Sequence, residues 1–184
     1  QLDTVARTAV NKVANESKML AFEKAKGIDR VLWISVLDHR TSPFCMAADG
    51  KVFPVDSAPY PPAHPRCRST TVGLRKGESA TTVQKEIQPR TAVEPKSVDK
   101  LEKQGVKTKT GKPRKPSVTD RSPLKRVDTR SISYETWLKK QPALYQDQIL
   151  GKNAAKRFRK GDGLLNVLED SRSSINFDAL SEAL

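Results

Sequence analysis

Between Arg75 and Arg130 the chain holds no aromatic residue, five prolines, and 16 Lys and Arg against 7 Asp and Glu. Ordering such a stretch by itself costs more conformational entropy than its scattered aliphatic side chains return on burial. It reads as a basic extended or disordered arm, residues 75–130, which takes its conformation from its surroundings. Any core must therefore be built from the two flanks, 1–74 and 131–184. The arm carries nine of the thirteen net positive charges of the 184-residue chain. A field of that sign attracts polyanions, and nucleic acid is the commonest of these. Lys107, Lys109, Lys112, Arg114 and Lys115, in the run KTKTGKPRK, are the residues expected nearest DNA phosphates. No aromatic side chain interleaves with them, so base stacking is not expected, and contact would be sequence-independent and salt-sensitive.

The N-terminal flank is more ordered in pattern. Apolar residues at Leu2, Val5, Ala6, Ala9, Val10, Val13 and Leu20 recur at helical spacing. They predict a helix over Leu2 to Lys26 that packs this small-residue face on a sheet or another helix, with Gly27 as its stop. Val31 to Leu37 is a short apolar run with Trp33 inside it and predicts a buried strand. Asp49-Gly50, between Phe44–Ala48 and Lys51–Val55, predicts a hairpin with a type I′ turn. Pro54, Pro59, Pro61, Pro62 and Pro65 then impose a rigid connection, and Arg68 to Leu74 predicts a returning strand. In the C-terminal flank, Tyr134 to Leu150 predicts two short helices broken at Pro142, with Gly151 as a stop. Asn153–Lys160, Leu164–Glu169 and Asn176–Leu184 predict further short helices, the last with Asn176 as N-cap. Trp33 and Trp137 each sit in an apolar run and are expected in the core. The fold class expected is α+β: a long N-terminal helix on a short, mostly antiparallel sheet in residues 1–74, the basic arm, and a helical segment in 131–184.

Several classes are disfavoured. No run of 18 apolar residues is present, so no membrane span and no membrane partner are expected. The N-terminus reads as an amphipathic helix, not a signal peptide, and the initial Gln1 reads as a processed or truncated product. Two cysteines are too few for a disulfide scaffold and suit synthesis in a reducing compartment. The H-E-x-x-H, Walker A, G-x-S-x-G and zinc-deaminase patterns are absent, so no enzymatic activity is expected.

Chemistry-bearing residues concentrate between Trp33 and Arg68. Cys45, His64 and Cys67 supply soft and borderline ligands, and His39 or Asp38 would complete a tetrahedron around zinc. A short Pro-rich module gains much from such a staple. Two other states of the same side chains stay open: buried thiols beside a hydrogen-bonded histidine, and a Cys45–Cys67 disulfide. No cofactor is required, and zinc is the one candidate. Separately, Asp38 and Arg40 at a strand end, with Arg68 at the start of another, suit a bidentate ion pair that locks the loops.

The order of these motifs resembles the phage head morphogenesis domain of Mu-type minor head proteins. It consists of Trp33, then Asp38-x-Arg40-Thr41, Cys45, Gly50-Lys51-Val52-Phe53, and Pro61-Pro62-Ala63-His64-Pro65-Arg66-Cys67-Arg68. A second patch, Tyr134 to Pro142 around Trp137 and on to Gly151, is similar to the C-terminal end of that domain. Pro62 and Pro65 belong to the motif framework. Two departures stand out: Ser69 follows Arg68 where many members carry another Cys, and the basic arm separates the patches. The resemblance implies a low-copy virion component at the capsid interior near the portal vertex, assembled in the host cytoplasm. Its implied partners are portal, capsid or scaffold proteins and the packaged DNA. Its implied role is head assembly, DNA packaging or genome delivery. Two readings compete with it: a zinc-stapled, sequence-independent nucleic-acid-binding module, and a nuclease using Asp38 and His64.

Overall fold

The computed structural model describes residues 1–86, 133–172, 175–180 and 183, and the backbone of 106–107 and 113–114. Helix α1, Leu2–Lys24, leads into strand β1, Ile28–Ile34, through Gly27 at φ +91°. Helix α2, Pro43–Ala48, strand β2, Val52–Pro54, and strand β3, Thr70–Arg75, follow. Helix α3, Ala80–Glu86, comes next. Beyond it, β4, Val106–Lys107, pairs antiparallel with β5, Pro113–Arg114. The C-terminal flank holds α4, Tyr134–Lys139, α5, Ala143–Leu150, α6, Lys152–Lys160, and α7, Leu164–Ser171, then a 3-10 turn at Asp178–Leu180. The fold is α+β.

The main sheet runs β2-β1-β3, with β1 central and both pairings antiparallel. Because β1 has a covered face on either side, its sequence is a continuous apolar run rather than an alternation. Val31 and Trp33 join Phe53 in the larger core, which also takes in α2 and the helices from Tyr134 onward. Leu32 and Ile34 point the other way and pack with Leu74 and Val83 of α3. Each large side chain buried this completely contributes about 1.5–3 kcal/mol relative to exposure. The two flanks thus share one core. Residues 75–86, inside the stretch read as an arm, finish β3 and cover the second face of the sheet with α3.

Two local expectations are corrected. Phe44–Ala48 is helix, not the first strand of a hairpin. Ser42 caps it, accepting from the Cys45 N–H at 3.3 Å, and Pro43 occupies its first turn, where a missing N–H costs nothing. Asp49 (φ −61°, ψ 124°) and Gly50 (φ +82°) form a type II turn from helix to strand, closed by the Lys51 N–H on the Ala48 carbonyl at 3.0 Å. Only Gly50 needs positive φ there.

The second correction concerns α1. Its apolar stripe does not dock: Leu2, Val5, Val10, Val13 and Leu20 are 55 to 87% exposed. The opposite face, bearing Thr8, Asn11, Asn15, Met19 and Phe22, lies on β3 and the loop before it. Hydrogen bonds hold it there. Asn11 Nδ2 donates to the Cys67 carbonyl at 2.9 Å, Asn15 Oδ1 accepts from Thr70 Oγ1 at 3.2 Å, and Thr8 Oγ1 accepts from the Arg66 N–H at 3.0 Å. Gly73 makes the approach close, since a Cβ there would stand 3.0 Å from both Phe22 and Ile28.

Candidate functional site

Past the end of β1 the chain turns over itself and collects two sets of polar side chains. The first centres on Asp38, which is buried. Arg68, two residues before β3, donates Nη1 to Asp38 Oδ2 at 2.6 Å and Nη2 to Oδ1 at 2.7 Å. This is the bidentate fork expected for the pair. The Arg40 N–H at 2.9 Å and the Thr41 hydroxyl at 3.2 Å also donate to Asp38 Oδ1. Arg40 contributes its backbone, while its side chain is exposed. Tyr134 Oη reaches back from α4 to the Asp38 carbonyl at 2.8 Å. Burial alone pushes the Asp38 carboxyl up. The hydrogen bonds and charge of Arg68, with the Arg40 and Thr41 donors, overcome this and hold it below the ordinary carboxylate value.

Sequence reasoning missed a second buried carboxylate. Asp49 accepts the Ser35 N–H at 2.6 Å and the Tyr134 N–H at 2.7 Å, so one side chain ties the end of β1 to the start of α4. Ser35 is the other omission. Its hydroxyl accepts from Trp33 Nε1 at 2.9 Å, donates to the Cys45 carbonyl at 2.8 Å, and meets Ser69 Oγ at 3.0 Å. Nothing local announces these roles, because every partner but Trp33 is ten or more residues away.

The second set is Cys45, His64 and Cys67, whose candidate ligand atoms all lie within 4.8 Å of one another. Helix α2 presents Cys45. A tight turn, closed by the Cys67 N–H on the His64 carbonyl at 3.1 Å, presents the other two together. Pro65 sits second in that turn and Arg66 third, at φ +58°, a left-handed conformation that costs a side chain about 1 kcal/mol or more. The Thr8 and Asp3 contacts of Arg66 hold it there. Cys45 Sγ stands 3.7 Å from Cys67 Sγ and 3.4 Å from His64 Nε2, and both cysteines are free thiols. His64 Nδ1 faces the Pro65 carbonyl at 2.9 Å. A donor to that carbonyl fixes the proton on Nδ1 and leaves the Nε2 lone pair facing the sulfurs. Of the two thiols, Cys67 is lowered. Contact with Cys45 comes first among the causes lowering its pKa, and the His64 ring and the backbone N–H groups of Ser69 and Ala63 act the same way. The Cys45 thiol is raised, first by its contact with Cys67 and then by burial. The His64 ring is raised, mainly by its contact with Cys67.

His39, read as a fourth ligand, is not in this group. It is half-buried beside Asp38, and its Nδ1 has no hydrogen-bond partner among the described residues. Its ring is lowered, chiefly by burial. Trp33 and Trp137 are both buried in the larger core. Gly50 packs beside Ser133, and Pro62 follows Pro61 through a cis bond. Of the arm residues, Lys107 and Arg114 have their backbones in the β4–β5 pair. Lys109, Lys112 and Lys115 lie outside the described residues. A cleft of about 530 Å³ opens next to His64, walled by Trp33, Phe44, Tyr60 and Ile175. No described helix is long and apolar enough to cross a membrane.

No curated protein and no solved structure matches the chain. The second motif patch, from Tyr134, lies beyond the stretch that a family model covers. Residues 1–72, which hold α1, both polar sets and the first half of β3, match the family described as Phage Mu protein F like protein, the family the motif order resembles, and the match points to a phage head protein.

Proposed function

We propose that this chain is a non-enzymatic minor head protein that docks on the portal of a DNA-filled capsid through the solvent face of α1. The observation that carries the docking is the stripe of Leu2, Val5, Val10, Val13 and Leu20, exposed within the segment that matches the family. From Leu2 to Leu20 it extends ~27 Å at the helical rise. Large apolar side chains gathered on one exposed helix face suit an interaction site better than a purely solvated surface. The same helix is fastened to the domain by its other face, so α1 can meet a partner without unfolding the core. The Asp38 set supplies no nucleophile with its base. Asp38 is committed to Arg68, and His64 faces two thiols rather than a carboxylate. The engagement of both residues in contacts within the fold supports a non-enzymatic role over the nuclease reading. The basic run Lys107 to Lys115 suits the packaged DNA, through phosphate neutralisation alone.

A co-sedimentation assay with purified portal rings tests this directly. The wild-type chain is expected to travel with the rings, and a Val5→Asp, Val10→Asp, Val13→Asp variant of unchanged thermal stability is expected to stay behind. Equal co-sedimentation of both, or of neither, refutes docking through α1.

A further inference from the structure

From the geometry we infer that Cys45, His64 and Cys67 form a binding site for one zinc ion, with solvent in the fourth position. Tetrahedral zinc with bonds of about 2.3 Å to thiolate and about 2.05 Å to imidazole sets its sulfurs about 3.8 Å apart and sulfur from nitrogen about 3.6 Å apart. The chain holds the corresponding atoms at 3.7 Å and 3.4 Å. Two of the three edges that ligands of the softness zinc selects would span are therefore already set, and the third, from Cys67 to His64, lies within 4.8 Å.

The surroundings are those of a metal site as well. The Pro65 carbonyl takes the far nitrogen of His64, the second contact that orients a ligating imidazole. The turn that joins His64 to Cys67 keeps Arg66 left-handed, so the chain spends backbone strain to bring these two side chains together. A pair of buried thiols filling a core needs no third ligand and no anchored histidine. His64 lines the cleft beside Tyr60 and Phe44, which gives solvent a route to the site. Among the described residues the group has three members, so the fourth position is left to water. The ion would tie α2 to the loop before β3 at the point where α1 also attaches, through Asn11 on the Cys67 carbonyl.

This inference goes beyond portal docking and stands or falls separately from it. The test uses the full chain, expressed in zinc-supplemented medium and purified under reducing conditions without chelator. Elemental analysis is expected to find about one zinc per chain. Adding cobalt(II) to the chelator-stripped chain is expected to give the near-ultraviolet charge-transfer band of a thiolate–cobalt bond. Cys67→Ser should lose that band, and His64→Ala should shift the visible bands. Should either variant fail to fold, the wild-type zinc content and cobalt spectrum decide alone. Zinc below about a tenth of an equivalent together with no charge-transfer band overturns the site. So does an intact mass showing Cys45 and Cys67 joined as a disulfide in the freshly isolated chain.

Discussion

Arg68→Ala tests whether the Asp38 hub holds the domain together. The substitution removes two charge-assisted hydrogen bonds, of 2.6 and 2.7 Å, and strands a carboxylate that is only 4% exposed. Hydrogen bonds to a charged partner contribute about 1.5–3 kcal/mol each. The Arg68 side chain is 35% exposed, so solvent screening cuts that by roughly half. The Arg40 N–H and Thr41 hydroxyl remain on Asp38 and limit the loss further. The expected cost is about 2–3 kcal/mol, or roughly 4–12 °C in Tm for a chain of this size. Asp38→Ala costs about 1 kcal/mol more, because the Arg40 N–H also loses its acceptor, while the Thr41 hydroxyl keeps the Val36 carbonyl. In a double-mutant cycle the pair should therefore couple by about 2 kcal/mol. Urea unfolding followed by tryptophan fluorescence suits the measurement, since Trp33 and Trp137 are both buried in the shared core. A coupling below about 0.5 kcal/mol would show that the fork is incidental and that packing alone fixes the loops.

Asp49→Ala removes the shared acceptor of the Ser35 and Tyr134 N–H groups and should cost about 3–5 kcal/mol, read by the same urea titration, with Asp49→Asn recovering part of it. Gly73→Val drives a side chain into Phe22 and Ile28, and is expected to cost about 1–3 kcal/mol and to speed amide exchange in α1 before the sheet; uniform exchange would contradict it. The Asp38 pKa is lowered on folding, so its contribution is fully present above the unfolded value of about 4 and is lost as pH falls through the folded value. Acid unfolding of Asp38→Asn should accordingly show a shallower loss of stability below about pH 4 than the wild type. If Lys107, Lys109, Lys112, Arg114 and Lys115 each neutralise one phosphate, log K for duplex DNA should fall against log salt with a slope near −4.5, measured by fluorescence anisotropy. A slope near zero removes the arm from DNA contact.

Periodicity found α1, the helices from Tyr134 onward and the central strand, because Leu, Val and Trp runs and Gly27 and Gly151 act locally, but it missed α2 and α3. It misjudged which face of α1 docks. Helical spacing locates an apolar stripe but not its partner, and here the Thr8–Asn11–Asn15 face satisfied backbone groups of the loop before β3. The Asp49-Gly50 pair has a hairpin's sequence. The capping of α2 by Ser42 and Pro43 overrode it, and the turn became type II. Asp38–Arg68 was readable because a buried Asp near two arginines has few other outcomes. Asp49, Ser35 and Tyr134 were not, since their hydrogen bonds span up to 96 residues. Cys45, His64 and Cys67 were readable as a set by chemistry. Their convergence depends on α2, an element the hairpin reading had replaced.

The central claim, a low-copy head component at the portal, is tested most directly by quantitative mass spectrometry of purified DNA-filled heads. Peptides of this chain are expected in every preparation, at a small fraction of the abundance of the major capsid protein, and cross-linked to portal through residues of α1. Heads that lack the chain, or cross-links that run only to the capsid shell and never to portal, would contradict the account.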